Sequence, residues 1–355
     1  MKPFDYDALP GRVVFGAGSR HRLAEEVDRL GVSRILLVVG PANTVLADEV
    51  ADLLGGRGVG RFTELAQHVP EPKANDARAR ARELDADATL TIGGGTATGF
   101  GKAIALEVAV PQLAVPTTYA GSEMTPFWGL SDGTTKWTGR DPAVQPKVVV
   151  YDPELTLSLP PEISGPSGMN ALAHSVEALY APGANPVTTL LALEAVRQLA
   201  RCLPVVCARP HDLDGRTEAL YGAYLAASAL AVTGIALHHK TCHVLGGLFG
   251  LDHGRTNAAV LPHALRYNQP AIPDEYARLG DALGGNDPAV ALYDLARSIG
   301  APNGLAELGM PEGGVAAAAG PVVDANAANV REPEPELIQQ MLRDAYDGRR
   351  PTAAD

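Results

Sequence analysis

Hydrophobic positions in the first half of the chain follow two alternating rhythms. Unbroken apolar runs at Arg34–Val39 (RILLVV) and Ala88–Ile92 (ATLTI) are bounded by glycine. A third run, Leu113–Val115, stops at Pro116, and a fourth, Lys147–Tyr151 (KVVVY), stops at Asp152-Pro153. Short apolar runs closed by turn residues predict buried strands. Between them, His21–Leu30 places Leu23, Val27 and Leu30 on one helical face, and Ala74–Leu84 is a second helical segment, rich in Ala and Arg. Strands that alternate with helices predict βαβ units and a parallel sheet.

Past about Pro160 the texture changes. Segments 167–181, 186–203, 216–233, 236–249 and 273–284 are Ala/Leu-rich at helical spacing, with few β-branched runs. They predict an all-helical second domain, with the boundary in the LSLPPEISGPS stretch, 157–167. The expected architecture is an α/β N-terminal domain over 1–160, a parallel sheet with flanking helices, followed by an all-α domain over 161–355. A length of 355 residues suits two domains. The tail Gly348–Asp355 is expected to fray.

Composition narrows the function. Hydrophobic residues make up 46% and charged residues 20%, enough to bury a core and too apolar for a disordered chain. The excess of 41 Asp+Glu over 29 Lys+Arg gives a net charge of −12. That argues against a nucleic-acid or anionic-membrane partner held by bulk charge. The three cysteines, Cys202, Cys207 and Cys242, have no metal-type spacing and suit a reducing compartment. No apolar run reaches the roughly 18 residues of a membrane span. The N-terminus carries no signal-peptide pattern, so cytoplasmic residence is expected by elimination.

Candidate chemistry begins at Thr91–Lys102, where a strand runs into Gly93-Gly94-Gly95-Thr96 and then into an Ala-rich helix. Glycines let the backbone approach a pyrophosphate, and a helix N-terminus supplies N–H donors and positive dipole. The run matches neither GxGxxG nor GxxxxGKS. A second loop, Pro116-Thr117-Thr118-Tyr119-Ala120-Gly121-Ser122-Glu123-Met124, places hydroxyls at the end of the next strand. The two loops together predict nucleotide binding. The strand Arg34–Val39 ends in Gly40-Pro41-Ala42-Asn43, without the acid that usually accepts the ribose 2′-hydroxyl of NAD.

Histidines concentrate in the helical half. His174 follows Asn170 by one helical turn, His243 follows His239 likewise, and His238, His253 and His263 lie close by in sequence. Three imidazoles at such spacing can bind a divalent cation. They can equally serve as proton donor and anion anchor.

These stretches carry a resemblance. Gly93–Leu106 (GGGTATGFGKAIAL), Pro116–Pro126 (PTTYAGSEMTP), Thr138–Pro142 (TGRDP), Tyr151–Leu157 (YDPELTL), Ser167–Tyr180 (SGMNALAHSVEALY) and His238–Gly247 (HHKTCHVLGG) resemble the iron-containing (group III) alcohol dehydrogenase family. Within it, they are similar to the maleylacetate reductase branch. The resemblance implies the dehydroquinate synthase-like fold of that family, a homodimer and NADH or NADPH as cofactor. The implied reaction is reduction of maleylacetate, a small dicarboxylic oxo acid, to 3-oxoadipate in aromatic-compound catabolism.

By position, the metal-binding Asp of the iron-dependent relatives falls on Asn170, and their three His fall on His174, His239 and His253. The further active-site His falls on His243. The resemblance therefore implies a degenerate metal site and no metal, since Asn brings no negative charge to a dication. His243, His174, His239, His253 and Lys240 become candidate catalytic residues, with His243 the first choice of proton donor. Gly93, Gly94, Gly95, Thr96, Thr117, Thr118, Tyr119 and Ser122 become candidate cofactor contacts. Arg140, Lys136, Asn170, Arg255 and Arg331 become candidate substrate contacts, forming a cationic centre in an acidic protein. Arg140 has the alternative of a surface ion pair with Asp141.

Two stretches depart from the reductase branch. The last His is followed by Gly254-Arg255-Thr256-Asn257, and the C-terminal stretch reads Asn326-Ala327-Ala328-Asn329-Val330-Arg331. Two other readings stay open: a metal-dependent alcohol or aldehyde dehydrogenase, and a family-derived protein with a different substrate or no hydride transfer.

Overall fold

The computed structural model describes Phe4, Tyr6, Leu9, residues 11–132 and residues 136–352, apart from the side chain of Lys136. The chain divides into two compact units: one runs from Leu9 to Leu159, and the other from Pro160 on, joined by Phe4 and Tyr6, which the expected 1–160 domain had placed with the sheet.

The first unit contains β1 (Arg12–Phe15), α1 (Leu23–Leu30), β2 (Ile35–Val39), α2 (Thr44–Leu53), β3 (Gly58–Phe62), α3 (Glu71–Glu83), β4 (Ala88–Gly93), α4 (Gly95–Val108), β5 (Gln112–Pro116), β6 (Phe127–Ser131), β7 (Lys136–Arg140) and β8 (Val148–Tyr151). Six strands form one sheet in the order β1-β8-β5-β4-β2-β3, and every pairing in it is parallel. A separate antiparallel hairpin joins β6 to β7. A parallel sheet covered on both faces needs strands that are apolar at every position, and β2 is buried along its whole length. Its alternate residues serve opposite faces. Ile35, Leu37 and Val39 pack with Leu23, Val27 and Val50, while Leu36 and Val38 pack with Ala77, Phe100 and Ile104.

The chain order creates one topological switch. From β2 the chain moves outward to β3, whereas from β4 it moves the other way, through β5 and β8. The carboxyl ends of β2 and β4 therefore flank the point where open α/β sheets bind ligands. A brace at the end of β8 holds the sheet edge. Buried Asp152 accepts hydrogen bonds from the backbone N–H of Gly18 (3.0 Å) and of Arg20 (3.2 Å), and from Nη1 of Arg20 (2.8 Å). This explains the Tyr151-Asp152-Pro153 motif structurally.

The second unit contains α5 (Pro161–Ala178), α6 (Pro186–Ala208), α7 (Leu213–Thr233), α8 (Leu237–Phe249), α9 (His253–Asn268), α10 (Pro273–Ala282), α11 (Pro288–Ser298), α12 (Gly314–Ala325) and α13 (Pro335–Asp347). Among the described residues it has no strand. Helix α5 is buried on nearly all sides. Gly168 permits this, because a Cβ there would fall 2.1 Å from Leu203 Cδ2 on α6. Helix α6 opens with a capping box in which Asn185 and Thr188 satisfy each other's backbone. Among the described residues, no single helix is long and apolar enough to cross a membrane.

The C-terminal tail differs from the fraying expected of it. Tyr293 donates to Gly348 O (2.7 Å), Arg350 forms a two-pronged ion pair with Asp294 (2.9 and 2.7 Å), and Pro351 is buried. Specific side chains on α11 thus anchor the tail through Pro351. Residues 353–355 lie outside the described residues.

Candidate active site

Strand β4 ends in Gly93 at φ +146°, a backbone conformation that L side chains avoid. Gly94 is the N-cap of α4 and offers no side-chain cap, so the first-turn N–H groups have no side-chain acceptor. That is the arrangement a phosphate would complete. Gly40 N donates to Ile92 O (2.9 Å) and Thr117 N donates to Gly93 O (3.1 Å), which joins the ends of three strands. A Cβ at Gly94 would meet Thr118 Oγ1 at 2.9 Å. The structure thus gathers Gly93, Gly94, Gly95, Thr96, Thr117 and Thr118 at the switch point, with Ser122 opening a short 3-10 turn at the end of the second loop. Tyr119 is wholly buried, so of the Thr118-Tyr119 pair it is Thr118 that offers a surface. No carboxylate follows β2, and Asn43 occupies that corner against Gly40 and Gly93.

Sequence reasoning missed the support beneath this loop. Lys102 Nζ donates to Thr125 Oγ1 (2.9 Å) and Phe127 O (2.7 Å), fastening α4 to the second loop. Burial pushes the Lys102 ammonium down to about 7, against the pull of Glu123. Burial likewise pushes up the Glu123 carboxyl, which accepts from Tyr151 OH (2.8 Å). A lysine seven residues beyond the glycine run, in an Ala- and Gly-rich helix, was the available signal.

Arg140 ends β7 and is exposed. The alternative ion pair does not form: Asp141 accepts from Ala143 N (2.8 Å) instead, capping a short 3-10 turn. Lys136 begins the same strand, but its side chain lies outside the described residues.

In the second unit, α5 presents Asn170, His174 and Glu177, and α8 presents His238, His239, Lys240 and His243. Asp252 caps α9 by accepting from Arg255 N (2.9 Å), and this turn sets His253 at the start of that helix. The rings form a chain: His174 stacks on His239 at 4.7 Å, His239 lies 6.4 Å from His253, and His253 stacks on His243 at 5.8 Å. His174, His238 and His239 are buried, whereas His243 and His253 are exposed. Burial, followed by the neighbouring histidines, pushes His174 well below the ordinary imidazole value and His239 to about 3; His238 falls to about 3 for the same reasons. All three are neutral near pH 7.

Behind the rings stands a polar layer. Glu177 accepts from His238 N (2.7 Å) and binds His239 Nδ1 (2.6 Å). His238 Nε2 meets Asn257 O (3.0 Å), and Asn257 Nδ2 donates to Asn170 Oδ1 (2.8 Å). Glu177 and Asn257 were not foreseen as site residues, and His238 was placed in the histidine cluster without a role.

The donors suit a dication poorly. Glu177, His238 and His239 bring ligand-type atoms within 4.8 Å of one another, but Glu177 and His238 are committed to the hydrogen bonds above. Two buried nitrogens, His174 Nδ1 and His239 Nε2, have no hydrogen-bond partner. Beside them stands Asn170, a neutral amide whose oxygen already accepts from Asn257. A dication there would meet imidazoles and an amide without a single free carboxylate.

Two of the cations expected at the centre lie on the helices that carry the histidines. Lys240 is half-buried on α8 and Arg255 is exposed on the first turn of α9. Arg331 is elsewhere. Its Nη1 donates to Tyr267 O (2.6 Å) and its guanidinium lies over the Tyr267 ring at 4.5 Å. Tyr267 sits in the last turn of α9, about 20 Å along the helix from His253. Asn326 and Asn329 are likewise used in packing, bonded to Val322 O and to Asn268. The 326–331 stretch therefore braces the far end of α9.

The family model "Iron-containing alcohol dehydrogenase" matches residues 10–153, and the model "Fe-containing alcohol dehydrogenase family, C-terminal" matches residues 165–346. The chain is 51% identical over 351 residues to a maleylacetate reductase of Sphingobium indicum, covering 99% of each chain. It is 46% identical over 352 residues to one of Burkholderia cepacia, covering 99% of this chain and all of the other. Its fold is similar to the crystal structure of maleylacetate reductase from Rhizobium sp. strain MTP-10005, with a TM-score of 0.95 and 42% identity over 99% of this chain and 100% of that one.

Proposed function

This chain belongs to the iron-containing alcohol dehydrogenase family, and from that premise we propose that it reduces maleylacetate to 3-oxoadipate with NADH or NADPH and without a metal ion. The observation that carries the reading is Asn170, a neutral amide tied to Asn257 at the position where the resemblance places a metal-binding acid. The full-length similarity to maleylacetate reductases supports it. We further propose a homodimer resident in the cytoplasm, acting on a small oxo acid.

The nicotinamide, when bound, supplies a hydride. The first-turn N–H groups of α4, with Gly93 and Gly94 leaving room for close approach, hold the pyrophosphate, and Thr96, Thr117, Thr118 and Ser122 offer hydroxyls to it. With no acid after β2, neither nucleotide is excluded: the 2′-hydroxyl of NADH lacks one acceptor, and the 2′-phosphate of NADPH meets no like charge. Lys240 and Arg255 hold a substrate carboxylate, and Arg140 serves ligands of the same charge. Cations beside the oxo group stabilise the enolate that forms as the double bond is reduced. His243 delivers the proton to the carbon next to the oxo group.

The position of the label tests this route. Reduction of maleylacetate with NADH deuterated at the transferred position is expected to place deuterium on the methylene next to the distal carboxyl of 3-oxoadipate. Mass and NMR analysis of the product reads this directly. Deuterium on a new carbinol carbon would mean that the ketone is reduced instead, as in an alcohol dehydrogenase.

A further inference from the structure

We infer that Glu177 is a positioning residue: its carboxylate holds His239 by Nδ1, fixing the ring's tautomer so that Nε2 is the atom turned toward substrate. The inference rests on the proposed reduction for its consequence, but its geometry stands on the second unit alone.

Three contacts determine where the hydrogens lie. Asn257 O is a carbonyl and only accepts, so His238, 3.0 Å away through Nε2, carries its hydrogen on Nε2. A neutral His238 therefore presents a lone pair at Nδ1. His238 Nδ1 faces His239 Nδ1 at 3.3 Å. Two lone pairs cannot face each other at that distance, so His239 Nδ1 carries a hydrogen. Glu177 Oε2, 2.6 Å from the same nitrogen, is its principal acceptor. His239 Nε2 is then a bare lone pair, and it is one of the buried nitrogens without a partner.

The rest of the setting fits this role. Glu177 is wholly buried, one helical turn from His174, and its other oxygen accepts from His238 N at 2.7 Å. That second bond ties the carboxylate to the backbone of the helix it orients. Burying a carboxylate is costly even when it is well bonded, and an apolar side chain in its place is often the more stable choice. Carboxylates that orient an imidazole through its second nitrogen recur where the first nitrogen has work to do. His239 Nε2 is thus set as a hydrogen-bond acceptor for a water or a protonated oxygen of the substrate. Neutral His239 is not a proton donor, which leaves that role to His243.

Full-length protein labelled with 15N-histidine, compared with a His239→Asn variant to assign the signal, reports the tautomer by long-range 15N–1H correlation. The expected result is hydrogen on Nδ1 of His239 in the native protein. In Glu177→Gln a single amide oxygen faces two donors, His238 N and His239 Nδ1, so the His239 ring is expected to lose its fixed position and its 15N signals to shift and broaden. Turnover should then fall by about 10–100-fold, with NADH affinity unchanged and partial recovery in Glu177→Asp. Hydrogen on Nε2 in the native protein would overturn the inference, as would a Glu177→Gln variant whose turnover stays within about two-fold. If Glu177→Gln fails to fold, the native spectrum still decides. The spectrum needs no substrate, so absence of activity on maleylacetate would count against the proposed reaction and leave the tautomer result standing.

Discussion

Replacing His243 with alanine is expected to lower kcat on maleylacetate by about 10²–10⁴-fold, with NADH affinity changed only a few-fold. The reasoning is one of access. A proton donor must be reloaded from water after each turnover. His174, His238 and His239 are buried, and burial holds them neutral at working pH. His243 lies one turn beyond His239 on α8, exposed, with its ring stacked on exposed His253. The ring chain thus runs from a dry, oriented interior to a wet end, and the wet end is where a proton can be replaced. The N–H groups proposed to hold the pyrophosphate come from α4 in the first unit, so nucleotide affinity should survive. Steady-state rates with a fluorescence titration of NADH check both halves. Turnover within a few-fold of native would remove His243 from the role of donor.

The second large effect is on stability in acid. Burial pushes His238 and His239 to about 3, His263 to about 4, and His174 well below the ordinary value. In the unfolded chain these groups bind protons near pH 6.5. Between those limits the unfolded chain carries more protons, so stability rises with pH there and is lost as pH falls from about 6.5 toward 4. Each group contributes up to about 1.4 kcal/mol per pH unit within its window. Glu177 and Glu123 act in the opposite sense, because burial raises their carboxyls and the folded form takes up those protons first. Four imidazoles against two carboxyls leave a net loss. The melting temperature is expected to fall by at least about 5 °C between pH 7 and pH 5. Circular dichroism melts across that range measure it. A flat profile would mean that the buried imidazoles are not held neutral by the fold.

The parts legible in the sequence were those governed by local rules. Strand β2 is apolar at every position because both of its faces are covered, and the glycine run is legible because only glycine allows φ +146° at Gly93. The His239–His243 spacing shows one helical turn without any tertiary information. Strand β3 escaped notice because it is short, at the sheet edge, and built from Gly58, Gly60 and Arg61 rather than an apolar run. Helix α9 is buried around most of its circumference, so it has no polar face to give a period, and it contains Pro262. Glu177 reads as an ordinary helical acid until α8 brings the His238 N–H and His239 Nδ1 to it across about sixty residues of chain. Arg331 shows the reverse case. The resemblance implied a substrate contact, while its partners, the Tyr267 carbonyl and ring, come from packing that no local pattern encodes.

The most direct test of the central claim is the initial rate of NADH and NADPH oxidation by chelator-treated, metal-analysed protein, with maleylacetate and with a panel of short aldehydes. Saturable oxidation with maleylacetate that persists after metal removal, with aldehydes far slower, is the predicted result. A rate that requires added iron or zinc, or one that favours aldehydes, would contradict the account.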